Sequence, residues 1–140
     1  MILYADMVAD MFHYGHVEFI KNMFLQKKEV SDKIYIGIHN DETVKSYKRQ
    51  PVLTMEERIK VLSCCKYIDK IIPNAPLQIS KDYIDLHQID LIFIPSNRTE
   101  EEIKLMVAVP YELGLVRQIP YTHEITTTEL IKRIRERDDL

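Results

Sequence analysis

A mainly parallel α/β sheet of about five strands, with helices on both faces, is the fold class predicted by this chain of 140 residues. Three observations carry it. Short β-branched runs alternate with helix-like segments along the whole chain, the pattern of parallel strands joined by crossover helices. The run Leu91-Ile92-Phe93-Ile94 is apolar at every position, as in strands buried on both faces. No internal repeat, low-complexity tract or Gly/Ser linker breaks the alternation, and the chain holds only 3 glycines.

The elements follow in order. Residues 2–5 are a short apolar first strand. From about Gly15, Val17, Ile20, Phe24 and Leu25 fall on a helical stripe. Lys33-Ile34-Tyr35-Ile36-Gly37-Ile38 reads as a second, buried strand, nearly continuous in β-branched residues. Residues 41–51 are polar and predict a loop. Thr54-Met55-Glu56-Glu57 has the form of a capping box, opening a helix through Ile59, Val61 and Leu62. Residues 67–72 are another short apolar run, closed by Pro73-Asn74-Ala75-Pro76. Residues 80–87 predict a helix with Ser80 as its cap. After the strand at 91–94 come a helix over 100–108, a late strand over 115–119 and an amphipathic helix over 125–137.

Composition narrows the function classes. Hydrophobic residues make up 46% and charged residues 29%, which excludes a disordered or fibrous chain. The length suits one domain over residues 1–140. Nineteen Lys and Arg against 22 Asp and Glu leave −3, so binding of nucleic acid through bulk charge is not expected. Cys64 and Cys65 are adjacent, which suits neither a mutual bridge nor a zinc site. The first residues lack a basic region, and no apolar run approaches the roughly 18 residues of a membrane span. A cytoplasmic protein with no membrane span is the expectation.

The chemistry-bearing segment follows the first strand: Asp10-Met11-Phe12-His13-Tyr14-Gly15-His16. Two imidazoles three residues apart share a face where a helix begins. A glycine between them leaves the backbone open to a bulky anion. The helix start adds unpaired N–H groups and a partial positive charge. Composition alone would produce some His-x-Gly-His in only about 0.4% of such chains, and the position between strand and helix makes chance less credible still. No third ligand of matching spacing accompanies the pair, so a protein-bound metal centre is not expected.

The stretch from Tyr4 to His16 resembles the signature of the cytidylyltransferases, within the HxGH nucleotidyltransferase superfamily. The likeness continues through Lys48, Met55-Glu56-Glu57-Arg58, residues 65–76 and Ile125-Thr126-Thr127-Thr128-Glu129-Leu130-Ile131. It is nearest to the members that activate phosphocholine, phosphoethanolamine, glycerol 3-phosphate or small phosphonates. The resemblance implies a Rossmann-like fold and transfer of CMP from CTP to a small phosphomonoester or phosphonate, with Mg²⁺ and release of pyrophosphate. It implies His13, His16 and Lys48 as catalytic contacts on phosphate. Val8, Ala9, Asp10, Gly15, Arg58, Thr126, Thr127 and Thr128 become nucleotide-binding positions, and Ser96, Asn97 and Arg98 acceptor-binding ones. Several roles stay open. Asp10 either orients an imidazole or caps the helix; Arg58 either contacts nucleotide or makes a surface ion pair; Lys48, beside Lys45 and Arg49, either reaches phosphate or is a solvated loop residue. The threonines either cradle phosphate or serve Thr126 and Glu129 as a capping box. The region of Tyr67-Ile68-Asp69 lies in the dimer interface of related enzymes, so a homodimer is expected.

The departures matter equally. Met7 stands where relatives commonly carry glycine, and would narrow the approach to the triphosphate; Ala9 replaces a phenylalanine. Tyr121-Thr122-His123-Glu124 replaces Arg-Thr-x-Gly, exchanging a cation for a phenol and adding a negative charge. Arg117 or His123 is the expected compensation. There is no tryptophan after Asn74-Ala75-Pro76, and Ser96 and Asn97 stand where acidic residues would hold a quaternary ammonium, which disfavours phosphocholine. Adenylyl transfer from ATP and a nucleotide-binding domain impaired in catalysis are the alternatives.

Overall fold

The computed structural model describes residues 1–122 and 124–140. Five strands form one sheet: β1 (Ile2–Met7), β2 (Lys33–Ile38), β3 (Lys70–Ile72), β4 (Leu91–Pro95) and β5 (Val116–Ile119), in the order β3-β2-β1-β4-β5. Every pairing is parallel, with Leu3 opposite Ile34 on one side and Leu91 on the other. The fold is the expected Rossmann-like α/β sheet. Strand order reverses between β1 and β4, the position where open α/β sheets leave a crevice beyond the strand ends.

Side-chain alternation divides the core between the two faces. Leu3 and Ala5 of β1 join Ile34, Ile36 and Ile38 of β2 under α1 (Tyr14–Leu25), whose Ile20 and Met23 are fully buried. Tyr4 points the opposite way, into a cluster with Ile92, Ile94, Ile84 of α4 (Lys81–His87) and Ile103 of α5 (Glu100–Met106). The capping residues expected from sequence are in place: Thr54 and Glu57 close a full capping box on α3 (Met55–Leu62), and Ser80 caps α4.

Three expectations are corrected. Residues 41–51 are not all loop: α2 (Asp41–Tyr47) occupies most of them, with the Asn40 side chain accepting the Thr43 N–H. Val44 is its one buried residue, so no apolar stripe announced it. The helix expected to run to residue 108 ends at Met106, and α6 (Ala108–Glu112) restarts after Val107. Pro110 explains the break, because its ring would meet the Met106 carbonyl and it offers no N–H. The last helix, α7 (Thr127–Arg135), begins two residues later than expected, and Thr126 is its cap.

Gly37 is required by packing. A Cβ there would fall on the Tyr4 hydroxyl and within 2.8 Å of the Ala75 Cβ. Gly37→Ala is expected to lose about 2 kcal/mol of stability through overpacking, measured by urea denaturation. Adding Tyr4→Phe to that variant removes the closest clash and is expected to restore part of the loss.

Candidate active site

The loop after β1 is bent into an uncommon shape. Ala9 has φ 56° and Met11 φ 49°, two left-handed conformations without glycine, each costing about 1–2 kcal/mol. Three other segments hold it. The buried Asp10 carboxylate accepts the backbone N–H groups of Val52 (2.8 Å) and Leu53 (3.0 Å). Arg58 donates from Nη1 to the Val8 carbonyl at 2.6 Å. The Thr127 hydroxyl lies 3.0 Å from the Asp10 carbonyl.

Two expected roles change here. Asp10 neither orients an imidazole nor caps α1; it ties the loop to the segment before α3. Arg58 is not a solvated surface residue: its side chain is fully buried, and its ion pair with Asp41 is made from the interior. Besides Val8, its guanidinium donates to the carbonyls of Leu53 (3.2 Å) and His39 (2.9 Å) and to the Asp41 carboxylate (2.7 Å). One arginine thus joins the ends of β1 and β2, the start of α2 and the start of α3.

The two histidines form an unusual helix cap. His13 is the N-cap of α1, and its Nδ1 accepts the Gly15 N–H at 3.1 Å. His16 Nδ1 reaches back and accepts the His13 N–H at 3.1 Å. This is a capping box in which imidazoles stand where Ser or Thr and Glu usually act. Accepting at Nδ1 assigns the ring proton of each neutral imidazole to Nε2. His13 Nε2 lies 3.3 Å from the Thr127 hydroxyl, which joins the last helix to the pair. The rings are 3.9 Å apart between centroids, and Phe12 stacks on His16.

Gly15 has a different reason from the expected one. A Cβ at this position would stand 2.8 Å from His13 Cε1 and 3.1 Å from the Ile125 carbonyl. The glycine makes room for the capping ring itself, not only for an anion.

Both rings are held neutral. Burial lowers the His13 pKa; burial, then His13 and Lys48, push His16 down to about 3. A charged imidazole would also surrender the lone pair that caps the helix.

A basic rim faces the pair. Lys48 is the residue that ends α2, and its pKa is lowered by desolvation, then by Arg49 and, more weakly, Arg98, with the Asp10 carboxylate opposing them. The cations of three separate sequence positions therefore gather in one electrostatic neighbourhood. Arg49 donates to the Thr128 hydroxyl at 3.2 Å, linking the rim to the start of α7. Thr126 accepts the Glu129 N–H at 3.0 Å, but only that half of the expected box forms; the Glu129 carboxylate pairs with Arg133 instead. Ser96, Asn97 and Arg98 are exposed beyond the carboxyl end of β4, and Arg98 lies 3.9 Å from Glu102.

The departures also fall into place. Met7, expected to narrow the approach to the triphosphate, packs partly buried against the core cluster of Leu3 and Ala5. Arg117 bonds the carbonyls of Gly114 and Val116 at the opposite end of the sheet and does not compensate for Tyr121. Arg49 stands by the threonine turn instead. Glu124 is exposed, and His123 lies outside the described residues. Sequence reasoning missed Asp6, His39 and Tyr47: His39 Nδ1 is 2.9 Å from the Tyr47 hydroxyl and its Nε2 is 3.7 Å from Asp6 Oδ1. Only the adjacency of Tyr47 to Lys48 offered a signal.

Two measurements check this construction. The depressed imidazole pKa values mean that the unfolded chain binds more protons below the ordinary value of 6.5. Stability is therefore complete above about pH 6.5 and falls on acidification, a slope that His16→Asn should flatten in acid denaturation. Arg58→Met should cost about 3–5 kcal/mol, since it strands buried acceptors and Asp41, read by urea unfolding.

The sequence matches the model of the family described as cytidylyltransferase-like over residues 5–133. It is 31% identical to the ethanolamine-phosphate cytidylyltransferase of Dictyostelium discoideum, over 95% of this chain and 37% of that protein. Identity to the Arabidopsis thaliana protein of the same name is 32%, over 95% of this chain and 32% of the relative. Choline-phosphate cytidylyltransferase 2 of Arabidopsis thaliana is 30% identical, over 94% and 44%. The chain thus spans about a third of the length of the first two of these curated relatives. Among solved structures, the lipopolysaccharide core biosynthesis protein from Thermoplasma volcanium GSS1 shares the fold, with a TM-score of 0.68 at 19% identity over 87% of this chain and 98% of that one. With the match running from the first strand into the last helix, around a paired-imidazole turn built as described, the chain belongs to the cytidylyltransferase-like family.

Proposed function

We propose that this chain transfers CMP from CTP to a small phosphomonoester. An acceptor phosphate oxygen attacks the α-phosphorus of CTP, the bond to the bridging oxygen of the β-phosphate breaks, and pyrophosphate leaves. No covalent enzyme intermediate is needed, so the protein's work is positioning and neutralisation of charge. The observation that carries this reading is the imidazole cap: two neutral rings, each with its proton on Nε2, at the mouth of the crevice. His16 donates from Nε2 to a phosphate oxygen, and His13 does so once its Nε2–H turns from the Thr127 hydroxyl, 3.3 Å away. Lys48, Arg49 and Arg98 offset the negative charge, and the start of α7 with Thr127 and Thr128 completes the phosphate seat.

An acceptor bearing a primary ammonium fits best. Asp6, next to last in β1, lies beside the crevice with its side chain 24% exposed, and supplies the negative charge that Ser96 and Asn97 do not. The similarity to ethanolamine-phosphate cytidylyltransferases supports the same choice. Among the described residues no three His, Cys, Asp or Glu side chains gather as a metal site. Mg²⁺ would accordingly arrive on the oxygens of CTP rather than in a protein cage. A homodimer fits the pairing of Phe24 with Tyr67, at 5.2 Å between ring centroids, because Phe24 remains 39% exposed. No helix among the described residues is long and apolar enough to cross a membrane, and the free Cys64 and Cys65 suit a cytoplasmic setting.

Pyrophosphate release with CTP, Mg²⁺ and phosphoethanolamine tests the reading. His16→Asn is expected to lower kcat by about 100-fold or more, with folding verified in parallel. CTP should raise the melting temperature more than ATP does. Absence of pyrophosphate across a panel of phosphomonoesters would sink the proposal.

A further inference from the structure

One buried ring has no part in the phosphate seat. His39, just after β2, is 5% exposed. Its backbone is pinned on both sides, the N–H donating to the Met7 carbonyl at 3.2 Å and the carbonyl accepting from Arg58. Nδ1 lies 2.9 Å from the Tyr47 hydroxyl, with the two rings perpendicular. Nε2 is buried and has no hydrogen-bond partner, and it faces Asp6 Oδ1 at 3.7 Å.

The chemistry of these groups sets a direction. A phenol donates readily to an imidazole lone pair, which leaves the ring proton on Nε2. That N–H then faces a carboxylate, whereas the other tautomer would oppose a lone pair to a negative charge. A buried N–H without a partner is costly. A small rotation of the Asp6 side chain brings its oxygen from 3.7 Å into hydrogen-bond range and removes that cost. Bonding one carboxylate oxygen to His39 leaves the other free at the partly exposed end of β1.

We propose that His39 is a positioning residue which, with its tautomer set by Tyr47, orients the Asp6 carboxylate toward the ammonium group of the acceptor. The proposal rests on the amino-bearing acceptor inferred above. It also explains a connection in the chain: the Tyr47 hydroxyl anchors the end of α2, and the next residue is Lys48. The acceptor seat and the phosphate-facing lysine thus share one tether.

Two arms test it. In the first, pyrophosphate release is measured with phosphoethanolamine and with glycerol phosphate, which lacks the amine. His39→Leu should raise KM for phosphoethanolamine about tenfold, leaving KM for CTP and for glycerol phosphate within about twofold. His39→Gln, which keeps an N–H donor, should recover most of the loss. In the second, ¹⁵N spectra of the wild-type ring should show the Nε2–H tautomer, and Tyr47→Phe should mix the two tautomers. A ring protonated at Nδ1, or a His39→Leu variant that raises KM equally for both acceptors, overturns the proposal. A wild-type chain that uses neither acceptor overturns the amino-bearing acceptor and with it the acceptor role of Asp6, while the transferase reading falls only if the whole panel of phosphomonoesters is silent. The tautomer spectrum then still accepts or rejects the His39–Tyr47 relay.

Discussion

The site depends on two imidazole nitrogens accepting backbone N–H groups. Because His13 and His16 cap the first helix through Nδ1, the turn can exist in this form only while both rings are neutral. The same bonds set the tautomer, so a folding interaction places each ring proton on Nε2, where that of His13 meets the Thr127 hydroxyl. Gly15 is part of this arrangement, since any larger residue would displace the capping ring. The burial that depresses the pKa values keeps both rings in the neutral form that the cap requires.

Around that turn, polar groups buried against ordinary expectation act as ties. Burying a guanidinium is expensive unless every donor is matched. Arg58 meets the cost with three carbonyls and one carboxylate, and in doing so fixes the ends of β1 and β2 relative to the two helices that follow. Asp10 does the same for the loop with its two left-handed residues. Both side chains are buried among the segments that they join. What they determine is the shape of the loop after β1.

Cations reach the crevice from distant parts of the chain. Lys48 and Arg49 follow α2, Arg98 follows β4, and Thr128 opens α7. Each sits beyond the carboxyl end of a parallel strand or in a segment returning to it, which is where the order reversal between β1 and β4 leaves space. Arg49, from the segment after α2, bonds the threonine turn.

By itself the sequence determined the alternation of strands and helices, the caps at Thr54 and Ser80, and the position of the paired histidines. These are local properties: side-chain period, β-branching and short hydrogen bonds within one turn are written within a few residues. It did not reveal α2, whose single buried residue leaves no periodic trace, or the break at Pro110, which depends on the geometry of the preceding turn. Tertiary structure alone decided that Arg58 and Asp10 are internal ties, that Met7 faces the core and that Arg117 lies at the far end of the sheet. It also brought Asp6, His39 and Tyr47 together. Burial and the choice of hydrogen-bond partner arise from segments tens of residues apart in the chain, and no local pattern encodes which of several polar groups will be enclosed when the strands align.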